Sequence, residues 1–205
     1  VPGRPTWPGG LTSKQVRILD DLEEAVDRGE RWIVFSERPE ALDLLSDEIG
    51  SRGIRSRTFH GSSSSSVDER IKDLDDFRED DSIGVLFMSY NTGNTGYNIP
   101  QADGVWLYDY AWVPDKMSQA AARILRDSWM TPERVRMGKK PQIRQAVLMG
   151  TIDEYMKQLV DLKQSGIDQA LDRQEASFDP ESWMSYRDFS ILMFKQMGLS
   201  EEELY

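Results

Sequence analysis

The chain has 205 residues, a formal net charge of -11, no cysteine and one histidine, His60. This length suits one sizeable domain, with or without an appendage, that can bury a substantial core. The acidic balance excludes a general basic coat for nucleic acid, so any such contact must be local, and the composition excludes disulfides, thiolate metal sites, a cysteine nucleophile and clustered-histidine zinc sites. No apolar run reaches membrane-spanning length, so no membrane partner is expected, and the opening Val1-Pro-Gly-Arg-Pro5 has no secretory core. Val1 in place of an initiator methionine points to a piece of a longer protein.

Helical and strand patterns alternate in the order of a layered α/β domain. Val16, Leu19, Leu22 and Val26, with Ile18 and Ala25 beside them, predict a first helix ending near Gly29, and Trp32 to Phe35 reads as a short buried strand. Pro39 suits the first turn of a second helix with Leu42, Leu45 and Ile49 on its apolar stripe and Gly53 as its stop. Ile54 to Phe59 predicts a second strand. After a serine run, Ser66-Val-Asp-Glu69 forms a capping-box signature for a helix along Val67, Ile71, Leu74 and Phe77, and Ile83 to Met88 is the next strand.

The second half repeats the alternation with less regular connections. Ser89 to Gln101 reads as a polar loop, Gly104 to Tyr108 as a strand, and Pro114-Asp115 as the start of a further helix. Asp127 to Pro141 lacks periodicity and reads as an excursion from the core, after which Gln142 to Met149 restores a strand. Thr151-Ile-Asp-Glu154 is a second capping box, opening a helix through Tyr155, Met156, Leu159 and Leu162. Beyond Asp172 a polar linker leads to Trp183 and a helical pattern along Tyr186, Phe189, Leu192 and Met193, either a docking helix or a disordered extension.

The most informative stretch is Gln119-Ala-Ala-Ala-Arg123-Ile-Leu-Arg126. On a helix, spacings of four and three bring Gln119, Arg123 and Arg126 to one face, where they can converge on one anion, and a guanidinium fork suits phosphate. An isolated Q-x-x-x-R-x-x-R is more often an exposed helix face, so its weight comes from context. Between Arg123 and Arg144 the chain carries seven basic residues against two acidic ones, a local island that suits DNA, a partner domain or a solvated loop. Trp106, Tyr108, Tyr110 and Trp112 have the chemistry to stack on bases, but strand packing explains them better. His60 reads as a structural neighbour of its turn.

In order, these features resemble the second RecA-like lobe of superfamily 2 helicases and translocases, most of all the Swi/Snf-type DNA-dependent ATPases. The resemblance runs from about Leu11 to Asp172, with 173–205 as a helical tail. It rests on Val34-Phe-Ser36, on His60-Gly-Ser62-Ser63 with Asp68-Glu-Arg70, and on the motif V-like loop Ser89 to Ile99. It continues through Val105-Trp-Leu-Tyr-Asp109-Tyr-Ala-Trp112-Val-Pro114, Gln119-x-x-x-Arg123-x-x-Arg126 as motif VI, and Gly150-Thr-Ile-Asp-Glu154. The chain departs from the pattern in having Asn94 where a glycine is commoner and Asp127-Ser-Trp129 where Ile-Gly-Gln is usual.

The resemblance implies a three-layer RecA-like α/β fold with a central, mostly parallel sheet and a helical C-terminal extension. It implies ATP and magnesium as cofactors, and double-stranded DNA and a first RecA-like lobe as partners. Arg126 would be the arginine finger, Arg123 a second phosphate contact and Gln119 an orienting partner. Gly96 and Asn98 would lie near the nucleotide; Ser36, Ser62, Ser63, Thr92 and Gly93 would face the nucleic-acid backbone, with Lys139 and Lys140 added from the basic island. The chain contains no G-x-x-x-x-G-K-[ST], and Gly138-Lys139-Lys140 lacks both the upstream glycine and the hydroxyl residue of a phosphate loop. The phosphate loop and magnesium ligands are therefore expected on the first lobe, and this chain alone is expected not to hydrolyse ATP. A helicase-like scaffold that no longer turns over, and an RNA-directed helicase, remain open alternatives, and an intracellular location is expected.

Overall fold

The computed structural model describes residues 10–61, 67–93, 97–111, 114–124, 129–151, 153–158 and 160–161. Thr12 starts α1 (Ser13–Asp27): its hydroxyl accepts the Gln15 N–H while the Gln15 side chain accepts the Thr12 N–H at 2.8 Å. A reciprocal cap of this kind is worth about 1 kcal/mol. The buried face of α1 is Ile18, Leu19, Leu22 and Ala25. Val16, expected in that stripe, is exposed, because at about 100° per residue it sits nearly opposite Ile18.

Four further helices and five strands carry the rest of the alternation: β1 (Trp32–Ser36), α2 (Pro39–Ser51), β2 (Ser56–Phe59), α3 (Val67–Glu79), β3 (Val85–Ser89), α4 (Tyr90–Gly93), β4 (Gly104–Leu107), α5 (Pro114–Ala121) and, after one more short helix, β5 (Gln142–Gln145). That short helix, α6 (Pro132–Arg136), gives structure to the expected excursion; Thr131 caps it and Pro132 occupies its first turn. It buries none of its own residues, which is why no apolar periodicity announced it.

All four strand pairings are parallel, in the order β2-β3-β1-β4-β5. Central β1, β3 and β4 are buried along their whole length, as parallel strands covered on both faces must be. Alternation sends Trp32, Val34, Val85, Phe87 and Trp106 against the apolar faces of α1 and α2. Ile33, Phe35, Leu86, Met88, Val105 and Leu107 are also buried and belong to the opposite face. The β2–α3–β3 crossover runs back across the sheet, so right-handedness puts α3, with buried Leu74 and Phe77, on that second face. The result is a three-layer α/β architecture. At Gly104 a Cβ would lie 2.5 Å from the fully buried Trp32 ring, so the packing of β4 on β1 requires glycine there.

Two differences from the sequence expectation bear on function. The segment after β3 begins as a helix, because Tyr90 is buried and stacks on Phe35 at 5.7 Å between ring centroids. The expected long helix through Arg126 stops at Ala121. Its last turn tightens: the Arg123 N–H bonds the Ala120 carbonyl and the Ile124 N–H bonds the Ala121 carbonyl, three residues back instead of four.

The chain divides into two compact units, Val1–Met149 and Gly150–Tyr205. In the second, residues 153–158 and 160–161 are helical. The Thr151 hydroxyl accepts the Asp153 N–H and the Glu154 carboxylate accepts the Gly150 N–H at 2.8 Å, a start one donor displaced from the expected capping box. The tail helix expected along Tyr186 to Met193 lies outside the described residues.

Candidate nucleotide and nucleic-acid interface

Ligands of open parallel sheets bind beyond the carboxyl ends of the strands. Here that end is organised by Asp109, two residues past β4. Its carboxylate accepts the Ser36 hydroxyl at 2.6 Å and the Glu37 N–H at 3.0 Å, while its carbonyl accepts the Tyr90 hydroxyl at 2.9 Å. One residue thereby ties together the chain leaving β1, β3 and β4. Burial pushes the Asp109 carboxyl above its ordinary value, against the opposing pull of those hydrogen bonds, and pushes the Tyr90 phenol well up.

Ser36, expected against a nucleic-acid backbone, is fully buried. Its single hydroxyl proton goes to Asp109 and its oxygen accepts the Arg38 N–H at 2.9 Å, so the hydroxyl shapes the turn and is not open to a phosphate. Thr92 and Gly93 close α4 directly after β3, at this same end. Ser62, Ser63, Gly96 and Arg126 lie outside the described residues. His60 is buried with Nε2 2.9 Å from Asp43 Oδ1, in keeping with a structural neighbour.

The arginine-bearing segment differs from a uniform helical face. Gln119 is exposed on α5, whereas Arg123, in the tightened turn, is buried. Each residue of such a turn advances about 120° instead of 100°, which moves Arg123 off the line expected of it. The Arg123 carbonyl accepts the Ile99 N–H at 3.1 Å, so the end of the motif V-like loop and the start of the arginine pair are fastened together. Asn98 is exposed beside that joint, and its carbonyl accepts the Arg78 guanidinium at 3.0 Å. Among the described residues no group of three histidines or carboxylates could hold a metal ion, and no helix is long and apolar enough to cross a membrane.

The opposite, amino end of the sheet is a second polar network. Asp103, just before β4, accepts the Arg31 N–H at 3.0 Å and the Arg134 guanidinium at 3.2 Å, with the Lys139 ammonium at 3.7 Å. Arg134 also donates to the Pro100 and Gln101 carbonyls and lies 4.6 Å from the Trp129 ring. Arg31, Asp103, Arg134 and Lys139, with Pro100 and Gln101, line an open cleft of about 610 Å³. Arg144 reaches Asp21 and stacks on Trp32 at 4.7 Å. Much of the basic island is therefore engaged internally. Lys139 and exposed Lys140 precede β5, a strand's length from Thr92 and Gly93, so the fold does not bring these expected contacts together.

Asp109 stands in the sequence only as part of a motif, and no sequence pattern marks Lys116 on α5. The Lys116 ammonium lies 3.0 Å from Asn91 Oδ1 and 3.3 Å from Glu37 Oε1. Those partners are 25 and 79 residues away in sequence, so no local pattern could have signalled them.

The fold is a three-layer α/β lobe on a parallel five-stranded sheet, and comparison with known proteins gives its family. The model of the helicase conserved C-terminal domain matches residues 14–128, more than half of the chain, which therefore belongs to that family, with a RecA-like fold. The chain is 32% identical over 164 residues to DNA repair protein RAD5A of Arabidopsis thaliana, covering 80% of this chain and 15% of that protein. It is 32% identical over 157 residues to ATP-dependent helicase fft3 of Schizosaccharomyces pombe, covering 77% of this chain and 16% of the relative. It thus spans less than a fifth of either. In fold it is similar to the Sulfolobus solfataricus SWI2/SNF2 ATPase core solved in complex with dsDNA, at a TM-score of 0.60 and 22% identity, covering 94% of this chain and 35% of that one.

Proposed function

We propose that this lobe is the C-terminal half of an ATP-driven translocase on double-stranded DNA. A first RecA-like lobe would supply the phosphate-binding loop and the magnesium ligands. Arg123 and Arg126 would meet the nucleotide phosphates when the lobes close, with Gln119 orienting them and Gly96 and Asn98 alongside. Ser62, Ser63, Thr92 and Gly93 would hold the DNA backbone. The observation that carries this reading is the backbone bond between Ile99 and Arg123, which holds the loop expected to sense nucleic acid against the residues expected to sense nucleotide. The chain's membership of the helicase C-terminal family and its likeness to DNA repair protein RAD5A support the same assignment.

The test is phosphate release by the two-lobe protein with and without duplex DNA. Arg126→Ala should lower the maximal rate by on the order of a thousandfold or more, and Arg123→Ala should act in the same direction, with duplex binding retained in both. Turnover near wild type in both variants overturns the motif VI assignment. A wild-type two-lobe protein that binds duplex without turnover would favour the scaffold reading, and stimulation by RNA alone the RNA-directed one. This chain by itself should release no phosphate above background, and robust release that tracks with the purified chain would sink the split-site assignment.

A further inference from the structure

Lys116 sits in the first turn of α5, where a cation opposes the helix dipole and local preference is for an acid. A residue that breaks a local rule at a strand-end site calls for a tertiary reason. The reason visible here is bridging. Its ammonium reaches Asn91 on α4 and Glu37 on the turn after β1. Glu37 is in turn held through its own N–H by Asp109, and Tyr90, the first residue of α4, bonds the Asp109 carbonyl. Just beyond the far end of α5 the Arg123 carbonyl holds the Ile99 N–H. Residues 90–93 are thus fastened to the first turn of α5, and Ile99 to the turn that follows it.

We propose that Lys116 is a positioning residue that couples the DNA-facing end of α4 to the arginine-bearing end of α5, an inference that rests on the function proposed above. Stability does not account for the contact: both side chains of the Lys116–Glu37 pair are roughly a third exposed, where solvent screens the attraction and an ion pair adds little. What the bridge supplies is direction. A displacement of Asn91, next to Thr92 and Gly93, is handed to the first turn of α5, and Arg123 lies in the tightened turn that follows its last residue.

In the two-lobe protein, Lys116→Met should reduce the stimulation of ATP hydrolysis by duplex DNA about tenfold while the DNA-independent rate stays within about twofold, and Lys116→Arg should preserve stimulation. Unchanged stimulation in the methionine variant, an equal fall in both rates, or loss of stimulation in the arginine variant overturns the proposal. Hydrogen exchange on this chain alone gives a second readout. Lys116→Met should speed exchange of the amides of residues 90–93 and of Ile99 and leave those of Ile33 to Phe35 unchanged; uniform acceleration, or none, overturns the coupling. A wild type without DNA stimulation would overturn the proposed function itself, and exchange would still decide whether Lys116 fastens α4 to α5.

Discussion

At the amino end of the sheet Asp103 meets cations, the guanidinium of Arg134 and the ammonium of Lys139, together with the Arg31 N–H. At the carboxyl end Asp109 accepts neutral donors, the Ser36 hydroxyl and the Glu37 N–H, and burial pushes its carboxyl up. The two aspartates flank the same strand, β4. A buried carboxylate compensated by cations locks the chain, whereas at Asp109 burial outweighs its neutral hydrogen-bond donors and the charge of Lys14 together. Arg31 shows how thorough the amino-end fastening is: its buried guanidinium donates to the Ile83 and Phe77 carbonyls and lies 4.2 Å from the Phe77 ring, although burial lowers its pKa.

Asp103→Ala strands the Arg31 N–H and removes the carboxylate that faces Arg134 and Lys139, and should cost about 3 kcal/mol in urea unfolding. A loss under about 1 kcal/mol would mean that the amino end does not lock the fold. Gly104→Ala, at the same end, should cost about 2 kcal/mol, because the added methyl meets the Trp32 ring. A neutral result in thermal unfolding would show that the ring can withdraw.

A smaller effect sharpens the other end. The folded-state pKa of Asp109 lies above the unfolded value, so between the two the folded protein keeps a proton that the unfolded chain has shed. Wild-type stability relative to Asp109→Asn should therefore be greatest below the ordinary value of 3.8 and decline as pH rises through the raised one. Urea midpoints of both proteins between about pH 3 and 7 read this out, and a difference that grows with pH would show that the carboxylate is favoured by its site. The smallest expected effect asks whether the amino end also grips DNA. Neutralising Lys139 and Lys140 together in the two-lobe protein should flatten the salt dependence of duplex binding by at most about two counterions, with ATP affinity unchanged. An unchanged slope would leave the amino end purely structural, whereas a loss of ATP affinity alone would place the pair at the lobe interface.

Much of the fold was legible because apolar periodicity is a local signal. The strands centred on Val34 and Phe87 and the helices with Leu22 and Leu45 on their inner faces fall where the pattern puts them. Helix ends were less legible. Nothing in Gln119 to Arg126 announces that α5 tightens after Ala121, because that turn answers to the carbonyl bond offered to Ile99, far away in the chain. The apolar content of Tyr90 was visible, but its stacking partner Phe35 is on another strand, so α4 read as loop.

The residue order alone determined the alternation of elements, the parallel α/β class and the family kinship, since each follows from the spacing of apolar residues and of short motifs along the chain. Only the tertiary structure decided that Ser36 is turned inward to Asp109, that Arg123 is buried while Gln119 is exposed, and that Lys116 bridges Glu37 and Asn91. The physical reason is range. Periodicity is fixed by neighbours a turn or two apart, whereas the commitment of a hydroxyl, a guanidinium or an ammonium depends on which distant carboxylates and carbonyls the folded sheet delivers within about 3 Å.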